Sequence, residues 1–224
     1  MSEDMSLRVG RVAAPLREQV REVLRRAIVE QHLPPGHRLI ERELIEQTGV
    51  SRTTVREVLR ELAAEGLVKT VPQKGAVVAV PSAQEAAELY EVRAALEGLA
   101  ARRFVEHATP AEVDELAAAL AELERVTADG GDIRALLRAK DRFYDVLLRG
   151  SRNRAVHEIL AGLKARVGLL RTHSLAQPGR AKRSVREIRA IVDAVRVRDA
   201  DAAARACAHH VEQAARAGLK GLPE

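Results

Sequence analysis

The sequence predicts a mainly α-helical protein, in which three helices and a β-hairpin at the N-terminal end are followed by an all-α bundle of about six helices. Aromatic residues are only 2% of the 224 residues, whereas hydrophobic residues are 46%. A core must therefore be built from Leu, Val, Ile and Ala, a composition that favours helices. Prolines, glycines and capping residues interrupt the apolar periodicity at helix-length intervals. The exception is a pair of β-type runs between residues 67 and 80, which predicts the hairpin.

The first helices of the chain are separated by clear stop signals. Pro15 opens an apolar periodicity that continues to residues 33–36, where two consecutive prolines end it. Residues 42–66 then form the pattern of helix, tight turn and helix, since Gly49 can adopt a left-handed backbone and Ser51 can cap the amides of the second helix. The first turn of that second helix displays Arg52, Thr53, Thr54 and Arg56. In a helix-turn-helix these positions reach base edges in the major groove, so the segment predicts DNA binding.

A hairpin follows this helical pair directly. Residues 67–71 and 76–80 are two β-type runs on either side of the turn Pro72-Gln73-Lys74-Gly75. Such a hairpin is typical of the wing of a winged helix-turn-helix. We therefore assign residues 15–80 to one DNA-binding domain, preceded by a flexible tail over residues 1–14.

The second half of the chain, residues 81–219, is predicted to be wholly helical. Ser82 with Glu85 forms a capping box, Thr109-Pro110 begins a second helix, and Asp199 caps the last one. The stop signals place six helices near residues 83–106, 110–128, 132–150, 153–174, 183–197 and 200–218.

Composition limits the function classes. The net charge of +5 and a pI near 9.8 favour a polyanionic partner. Cys207 is the single cysteine, which excludes an intrachain disulfide and a cysteine-built zinc site, and its Ala-rich helix predicts a small core residue rather than a nucleophile. The sequence has no secretory or membrane-spanning segment, so we expect a cytoplasmic protein with no membrane partner. It also lacks the motifs of hydrolases, metalloproteases and nucleotide-binding enzymes, so no enzymatic activity is predicted.

Two known domains share the motifs of this chain. In the first domain, Pro34-Pro35-Gly36, Glu41-Arg42-Glu43-Leu44, Gly49-Val50-Ser51-Arg52-Thr53-Thr54-Val55-Arg56 and Gly66-Leu67-Val68 occur in one order. In that order they resemble the winged-helix domain of the GntR family of bacterial transcription regulators. The second half is similar to the FCD ligand-binding domain of the FadR-like branch, on Glu91-Val92-Arg93 with Leu96-Glu97, Phe143 with Leu147, Ser151-Arg152-Asn153, Ser184 with Glu187 and Ile191, and Asp199 leading to His210.

The resemblance implies which side chains contact DNA. The operator-contacting arginines would be Arg42, Arg52 and Arg56, with phosphate or base contacts from Ser51, Thr53 and Thr54, and with Gln73, Lys74 and Gly75 placing the wing against the duplex. An arginine fork can bind guanine O6 and N7, each contact giving roughly 1 to 3 kcal/mol of discrimination, while hydroxyls hold phosphates. The resemblance also implies a symmetric homodimer on a palindromic double-stranded operator.

A less specific interpretation of the same arginines is a solvated helix face. Arg52, Arg56 and Arg60 would then pair with Glu57 and Glu61 of their own helix. We favour DNA contact for Arg52 and Arg56, and the solvated face for Arg60.

In many FCD domains a divalent metal is held by an aspartate, a histidine one turn later, and one histidine from each of the last two helices. Alignment on the FCD motifs brings these four positions to Lys140, Tyr144, Ile188 and His210. Only His210 is a metal ligand, so the resemblance implies that the metal site is lost and that no cofactor is bound. One alternative is open, because a slip of one residue would present Asp141 and Asp145 to the cavity, although it would turn Phe143 off the core.

Positive side chains can replace the charge of a metal in binding an acid. The predicted effector site comprises Arg93, Lys140, Tyr144, Arg171 and His210. Lys140 would supply charge, Tyr144 a hydrogen-bond donor, and an arginine fork suits a carboxylate. Taken singly, Lys140 as a surface lysine and Tyr144 as a rim aromatic are the alternatives.

The predicted function is thus a DNA-binding transcription regulator, expected to be a repressor, which responds to a small acidic metabolite without a metal. A metal-dependent FCD sensor is the alternative within the same class. A purely architectural DNA-binding protein is a third possibility, but it would not need a six-helix domain with converging cationic residues.

Overall fold

The computed structural model describes residues 14–220 and residue 222. Within them the chain is mainly helical with one two-stranded sheet, so the predicted fold class is confirmed. The chain divides into two compact units, and the boundary lies between Ala79 and Val80. The sequence predicted this boundary one residue later, after residue 80. The predicted tail, residues 1–14, lies outside the described residues apart from Ala14. None of the described helices is both long and apolar enough to cross a bilayer.

The first unit has three helices and the predicted hairpin: α1 (Ala14–Val29), α2 (Glu41–Thr48), α3 (Arg52–Ala64), β1 (Val68–Val71) and β2 (Gly75–Val78). The strands pair antiparallel, with β1 residue 68 opposite β2 residue 78. Ile28, Val55, Leu62 and Val78 are fully buried, so the apolar faces of α1 and α3 and the inner face of the hairpin form one core.

Two helix ends differ from the prediction. The first helix stops at Val29 instead of continuing to residue 33, and Gln31 takes a left-handed backbone with φ of 59°. Pro34 restricts only Leu33 directly before it, so the helix ends earlier, where Gln31 turns the chain. The helix predicted from residue 183 begins at Arg180, because Gly179 has a φ of 70° and turns the chain directly into it.

The second unit is the predicted six-helix bundle: α4 (Ala83–His107), α5 (Pro110–Ala128), α6 (Ile133–Gly150), α7 (Arg154–Leu175), α8 (Arg180–Arg196) and α9 (Ala200–Gly218). Ser82 and Thr109 each form a complete capping box, and the Asp199 side chain accepts from the amide of Ala202 at 2.8 Å. These caps were predicted, and each satisfies amides that the first helical turn leaves unpaired.

The core of the bundle combines large side chains with close helix contacts. Phe104 and Phe143 are fully buried in its main cluster, and so is Cys207, as predicted. A Cβ added to Gly98 of α4 would lie 3.3 Å from the backbone oxygen of Ala204 in α9, and one added to Gly150 of α6 would collide with the ring of Phe104. The close approach of α4 to both α6 and α9 therefore depends on glycine.

Candidate functional sites

The recognition helix α3 begins as the sequence predicted. Gly49 ends α2 with a φ of 69°, and the Ser51 side chain accepts a hydrogen bond from the amide of Thr54 at 3.2 Å. Arg52 and Thr53 lie exposed in the first turn that follows. A first turn with free side chains and a capped end is the arrangement that helix-turn-helix proteins insert into the major groove.

The carboxylates of α3 point to α1 rather than to the arginines of their own helix. Glu57 lies 3.6 Å from Arg17, and Glu61 lies 3.2 Å from Arg17 and 3.4 Å from Arg21. Arg60 is exposed, as the solvated face predicted for it requires, but its predicted pairing with Glu57 and Glu61 is wrong. Within residues 14–220, neither Arg52 nor Arg60 has an ion-pair partner, so both keep their full charge at the surface.

Arg56 is exposed, and within the described part of the chain only the Nε edge of its guanidinium group is hydrogen-bonded. Its Nε donates to both carboxylate oxygens of Glu41, at 2.8 and 3.0 Å, and this hydrogen bond raises the pKa of the guanidinium above its usual value. Its two terminal nitrogens have no partner among the residues that the structure covers. Glu41 thus orients the Arg56 side chain and leaves its two terminal nitrogens free to bind a guanine. Arg42 on α2 is 81% exposed, with its Nε 3.9 Å from Glu46.

The wing ends in an exposed turn. The amide of Lys74 donates to the backbone oxygen of Val71 at 3.1 Å, and Gln73 has a φ of 64°, which is the geometry of a turn with proline at its second position. Gln73, Lys74 and Gly75 are all exposed. The three predicted wing residues are therefore accessible to a duplex.

Lys140 lies inside the second unit, 3% exposed, and not at its surface. Its Nζ is 2.9 Å from the hydroxyl of Ser184 and 3.1 Å from Nε2 of His210. The other ring nitrogen of His210, Nδ1, is 2.6 Å from Glu187, which also accepts from both terminal nitrogens of Arg180 at 2.8 and 3.1 Å. Since a carboxylate can only accept, Nδ1 carries the proton and Nε2 accepts from Lys140.

This buried chain of hydrogen bonds leaves Lys140 without a carboxylate. Burial lowers the pKa of its ammonium well below the usual value, and the nearby Arg171 and Arg180 lower it further. Burial and Lys140 likewise depress the pKa of the His210 imidazole well below its normal range. Both groups are therefore held towards their neutral forms, and an added negative charge nearby would favour the ammonium of Lys140.

Arg93 is also buried, and it forms an ion pair within its own helix. Its Nε donates to Glu97 at 2.8 Å, and its guanidinium lies 5.3 Å from the centre of the Tyr90 ring. Two opposing effects act on the pKa of the Glu97 carboxyl. Burial raises it, whereas the positive charges of Arg93 and Arg171 lower it, and the net result is a pKa below the usual value. Glu97 is therefore an ionised carboxylate in the interior. Its second oxygen, Oε2, makes no hydrogen bond of normal geometry to a described residue, although the nearby hydroxyl of Tyr144 also helps to lower the pKa of the carboxyl.

A cavity of about 150 Å³ lies between α4, α6 and α7. Of the predicted effector residues, Tyr144 and Arg171 line it, with the guanidinium of Arg171 4.2 Å from the centre of the Tyr144 ring. Arg93, Lys140 and His210 do not line it. Its wall also contains residues for which no effector role was predicted: Glu97, Leu148, His157, Leu160, Ala161, Lys164 and Val167.

The residues at the four metal positions do not fit a metal ion. The amino group of Lys140 is hydrogen-bonded to Ser184 and His210, the phenol of Tyr144 is not a usual metal ligand, and Ile188 is fully buried in the apolar core. In the part of the chain that the structure describes, no three His, Cys, Asp or Glu residues are grouped to hold an ion. Phe143 faces the core, so the slip of α6 did not occur.

The two aspartates of the alternative nevertheless lie at the cavity. Asp141 forms an ion pair with Arg171 at 2.8 Å, and Asp145 lies 3.7 Å from Lys164. Each carboxylate is thus opposed by a cation on α7. They serve as charged parts of the cavity wall.

Comparison with known proteins agrees with this organisation. Residues 16–78 match the family model of the bacterial regulatory proteins of the gntR family, and residues 88–213, more than half of the chain, match the FCD domain. The chain is 32% identical over 198 residues to a protein of Paenarthrobacter nicotinovorans named as the probable repressor of a D-xylose utilization operon, covering 86% of this chain and 84% of that one. It is 28% identical to the transcriptional repressor RspR of Escherichia coli K12, over 89% and 87% of the two chains.

Solved structures share the fold. McbR/YncC of E. coli superposes with a TM-score of 0.75 at 24% identity, over 89% of this chain and 95% of that one. A GntR transcriptional regulator from Rhodococcus sp. RHA1 superposes with a TM-score of 0.77 at 24% identity, over 92% and 98%.

Proposed function

The chain belongs to the GntR family of bacterial transcription regulators, with an FCD domain as its second half, and from this we propose that it represses transcription as a homodimer on a palindromic operator, under the control of a small acidic effector bound without a metal. The family and the relatives above are transcription regulators rather than enzymes. Two of those relatives are named as repressors, which supports that direction of control.

The exposed arginines Arg52 and Arg56 on α3 support the DNA-binding part of the proposal. Glu57 and Glu61 are engaged by α1, so Arg52 meets the duplex with its full charge, and Arg56 presents its free fork. One recognition helix reads only a short site, and a two-fold dimer on a palindrome is the usual way to lengthen it.

Operator selection from a random DNA pool, followed by fluorescence anisotropy, tests this part. Arg52→Ala should flatten the preference among operator variants, because base contacts give about 1 to 3 kcal/mol of discrimination. Lys74→Ala should weaken all sequences equally and reduce the salt slope. If Arg52→Ala leaves the relative preferences intact, α3 does not read the bases.

The charge state of the second unit supports an acidic effector. Arg93, Arg171 and Arg180 each have a carboxylate partner, whereas Lys140 has only neutral ones. A carboxylate in the cavity could bind Arg171 and Tyr144 directly and would restore the charge of Lys140 through its field.

Thermal unfolding with a panel of small carboxylic acids tests the effector. An acid at 100 times its dissociation constant adds about 2.7 kcal/mol to stability, or about 5 to 11 °C in Tm for a chain of this size. D-xylose serves as a neutral comparison because of the operon named for one relative. Arg171→Met should abolish the shift, and Arg166→Met on the same helix, outside the cavity wall, should keep it.

The same samples test the absence of a metal. Elemental analysis should find no stoichiometric transition metal, and a chelator should change neither Tm nor operator affinity. One tightly bound metal ion per chain with His210 among its ligands would overturn this part and favour the metal-dependent sensor.

A further inference from the structure

The cavity wall contains more negative than positive side chains. Asp141 is neutralised by Arg171 and Asp145 by Lys164, which leaves the carboxylate of Glu97 as the additional charge. The partner of Glu97 is Arg93, and Arg93 lies behind the wall. A ligand that offered only negative charge would therefore meet a buried carboxylate of the same sign.

Three buried polar atoms of the wall residues make no hydrogen bond of normal geometry to a described residue: Nε of Arg171, the hydroxyl of Tyr144 and Oε2 of Glu97. Such atoms are rare in native structures, because a buried polar atom without a partner has lost its hydrogen bonds to water. The hydroxyl of Tyr144 lies near enough to Glu97 to help lower the pKa of that carboxyl, so a carboxylate and an ammonium group on one small ligand could reach both residues. The pKa of Tyr144 is raised well above its usual value, chiefly by burial and next by Glu97, so the phenol is neutral and can donate. Arg171 and Tyr144 can thus donate hydrogen bonds to a ligand carboxylate, and the ionised Glu97 can accept one from a positively charged ligand group.

The remaining wall is apolar and the space is small. Leu148, Leu160 and Val167 lie on it, and an engineered cavity of about 150 Å³ in another protein holds a benzene molecule. The cavity opens to solvent beside the exposed Ala161 and Lys164, so the part of the ligand held between the helices is compact, with an aliphatic side and a polar side.

We propose that the effector is a small aliphatic amino acid or a similar zwitterion, whose carboxylate binds Arg171 and Tyr144 and whose ammonium group binds Glu97. This rests on the proposed function, because it places the effector in the same cavity. It narrows the ligand from acids in general to those with a cationic donor next to the carboxylate. The guanidinium of Arg171, the phenol of Tyr144 and the carboxylate of Glu97 account for this chemistry without any added ion.

A matched set of three ligands separates the zwitterion from a plain acid. Valine, its 2-oxo acid 3-methyl-2-oxobutanoate, and its amine isobutylamine share the aliphatic group and differ in the polar groups. Both enantiomers of valine, together with alanine and leucine to vary the length, are titrated by calorimetry and thermal unfolding. At least one amino acid should bind, and its 2-oxo acid and amine should bind at least tenfold more weakly.

Each other result has a distinct meaning. Equal or tighter binding of the 2-oxo acid overturns the zwitterion and leaves the acidic effector of the proposed function intact. Tighter binding of the amine overturns both. Binding of none of the amino acids at millimolar concentration overturns the zwitterion, and operator binding measured on the same sample shows whether the regulator itself still stands.

Variants test which residue selects the amino group. Glu97→Gln should reduce amino acid affinity to that of the 2-oxo acid, while Glu158→Gln, an exposed change on α7, should leave both unchanged. Because Glu97→Gln unpairs the buried Arg93, Tyr144→Phe provides a second test. It removes a carboxylate donor, so it should weaken the amino acid and the 2-oxo acid by the same factor. A Tyr144→Phe variant that weakens neither would overturn the placement of the carboxylate.

Discussion

Glu41 is expected to determine how well Arg56 discriminates bases, although Glu41 itself is acidic and lies next to the DNA-binding surface. Its carboxylate engages only Nε of Arg56 and leaves both terminal nitrogens free. Immobilising a flexible side chain on binding costs about 0.5 to 1.5 kcal/mol, and in this chain Glu41 has already restricted Arg56 in the free protein. Glu41→Gln should therefore lower the ratio of operator to random-sequence affinity by about 2- to 12-fold, at 1.4 kcal/mol per tenfold change.

The control is Glu43→Gln on the same helix. Glu43 is exposed and has no ion pair within the described residues, so this change removes the same charge without releasing Arg56. It should strengthen binding to all sequences slightly and equally, because a repulsive charge near the phosphates is lost. Fluorescence anisotropy with operator and scrambled duplexes at two salt concentrations measures both effects. If Glu41→Gln behaves like Glu43→Gln, Glu41 does not orient Arg56. In the Arg56→Ala background, Glu41→Gln should no longer change the ratio of operator to random-sequence affinity.

Three further predictions concern stability and assembly. Gly150→Ala should destabilise the second unit by about 1 to 3 kcal/mol in urea unfolding, because the added Cβ meets the Phe104 ring. Gly162→Ala, where the added Cβ has open space around it, should stabilise the unit by about 0.5 to 1 kcal/mol. Equal effects of the two changes on the free energy of unfolding would contradict the packing. Since the pKa of Lys140 is lowered by burial, the unfolded state binds more protons, so stability should rise with pH up to about 10.4. Lys140→Met should lose that slope, which Lys182→Met at the surface should retain. Sedimentation at micromolar concentration should give a species of twice 24.5 kDa, and a monomer with full operator affinity would refute the dimer.

The elements of the fold were predictable because their signals are local. Ser51, Ser82, Thr109 and Asp199 each satisfy amides a few residues away, so the sequence alone indicates where the helices begin. The end of α1 was less predictable, because a left-handed residue at Gln31 has no distinctive sequence signal and depends on how the following segment packs.

The candidate sites were predictable only in part. The closeness of Lys140 and His210 followed from the family resemblance, and it is present. The burial of Arg93 with Glu97 was not foreseen, since a pair four residues apart on a helix is usually a solvated one. The ion pair of Glu187 with Arg180 joins residues seven apart. Only the packing of α8 against α9, which no local pattern encodes, brings Glu187 to His210.

The glycine contacts of α4 also have a consequence for engineering a biosensor from this chain. Gly98 and Gly150 leave little or no room for a side chain, so library members that vary them would lose stability, by about 1 to 3 kcal/mol for Gly150→Ala. On α7, Ala161 and Lys164 are exposed residues of the cavity wall, and surface positions tolerate substitution with small changes in stability. Randomising these two positions while keeping the glycines fixed would redirect ligand preference with little loss of folded protein.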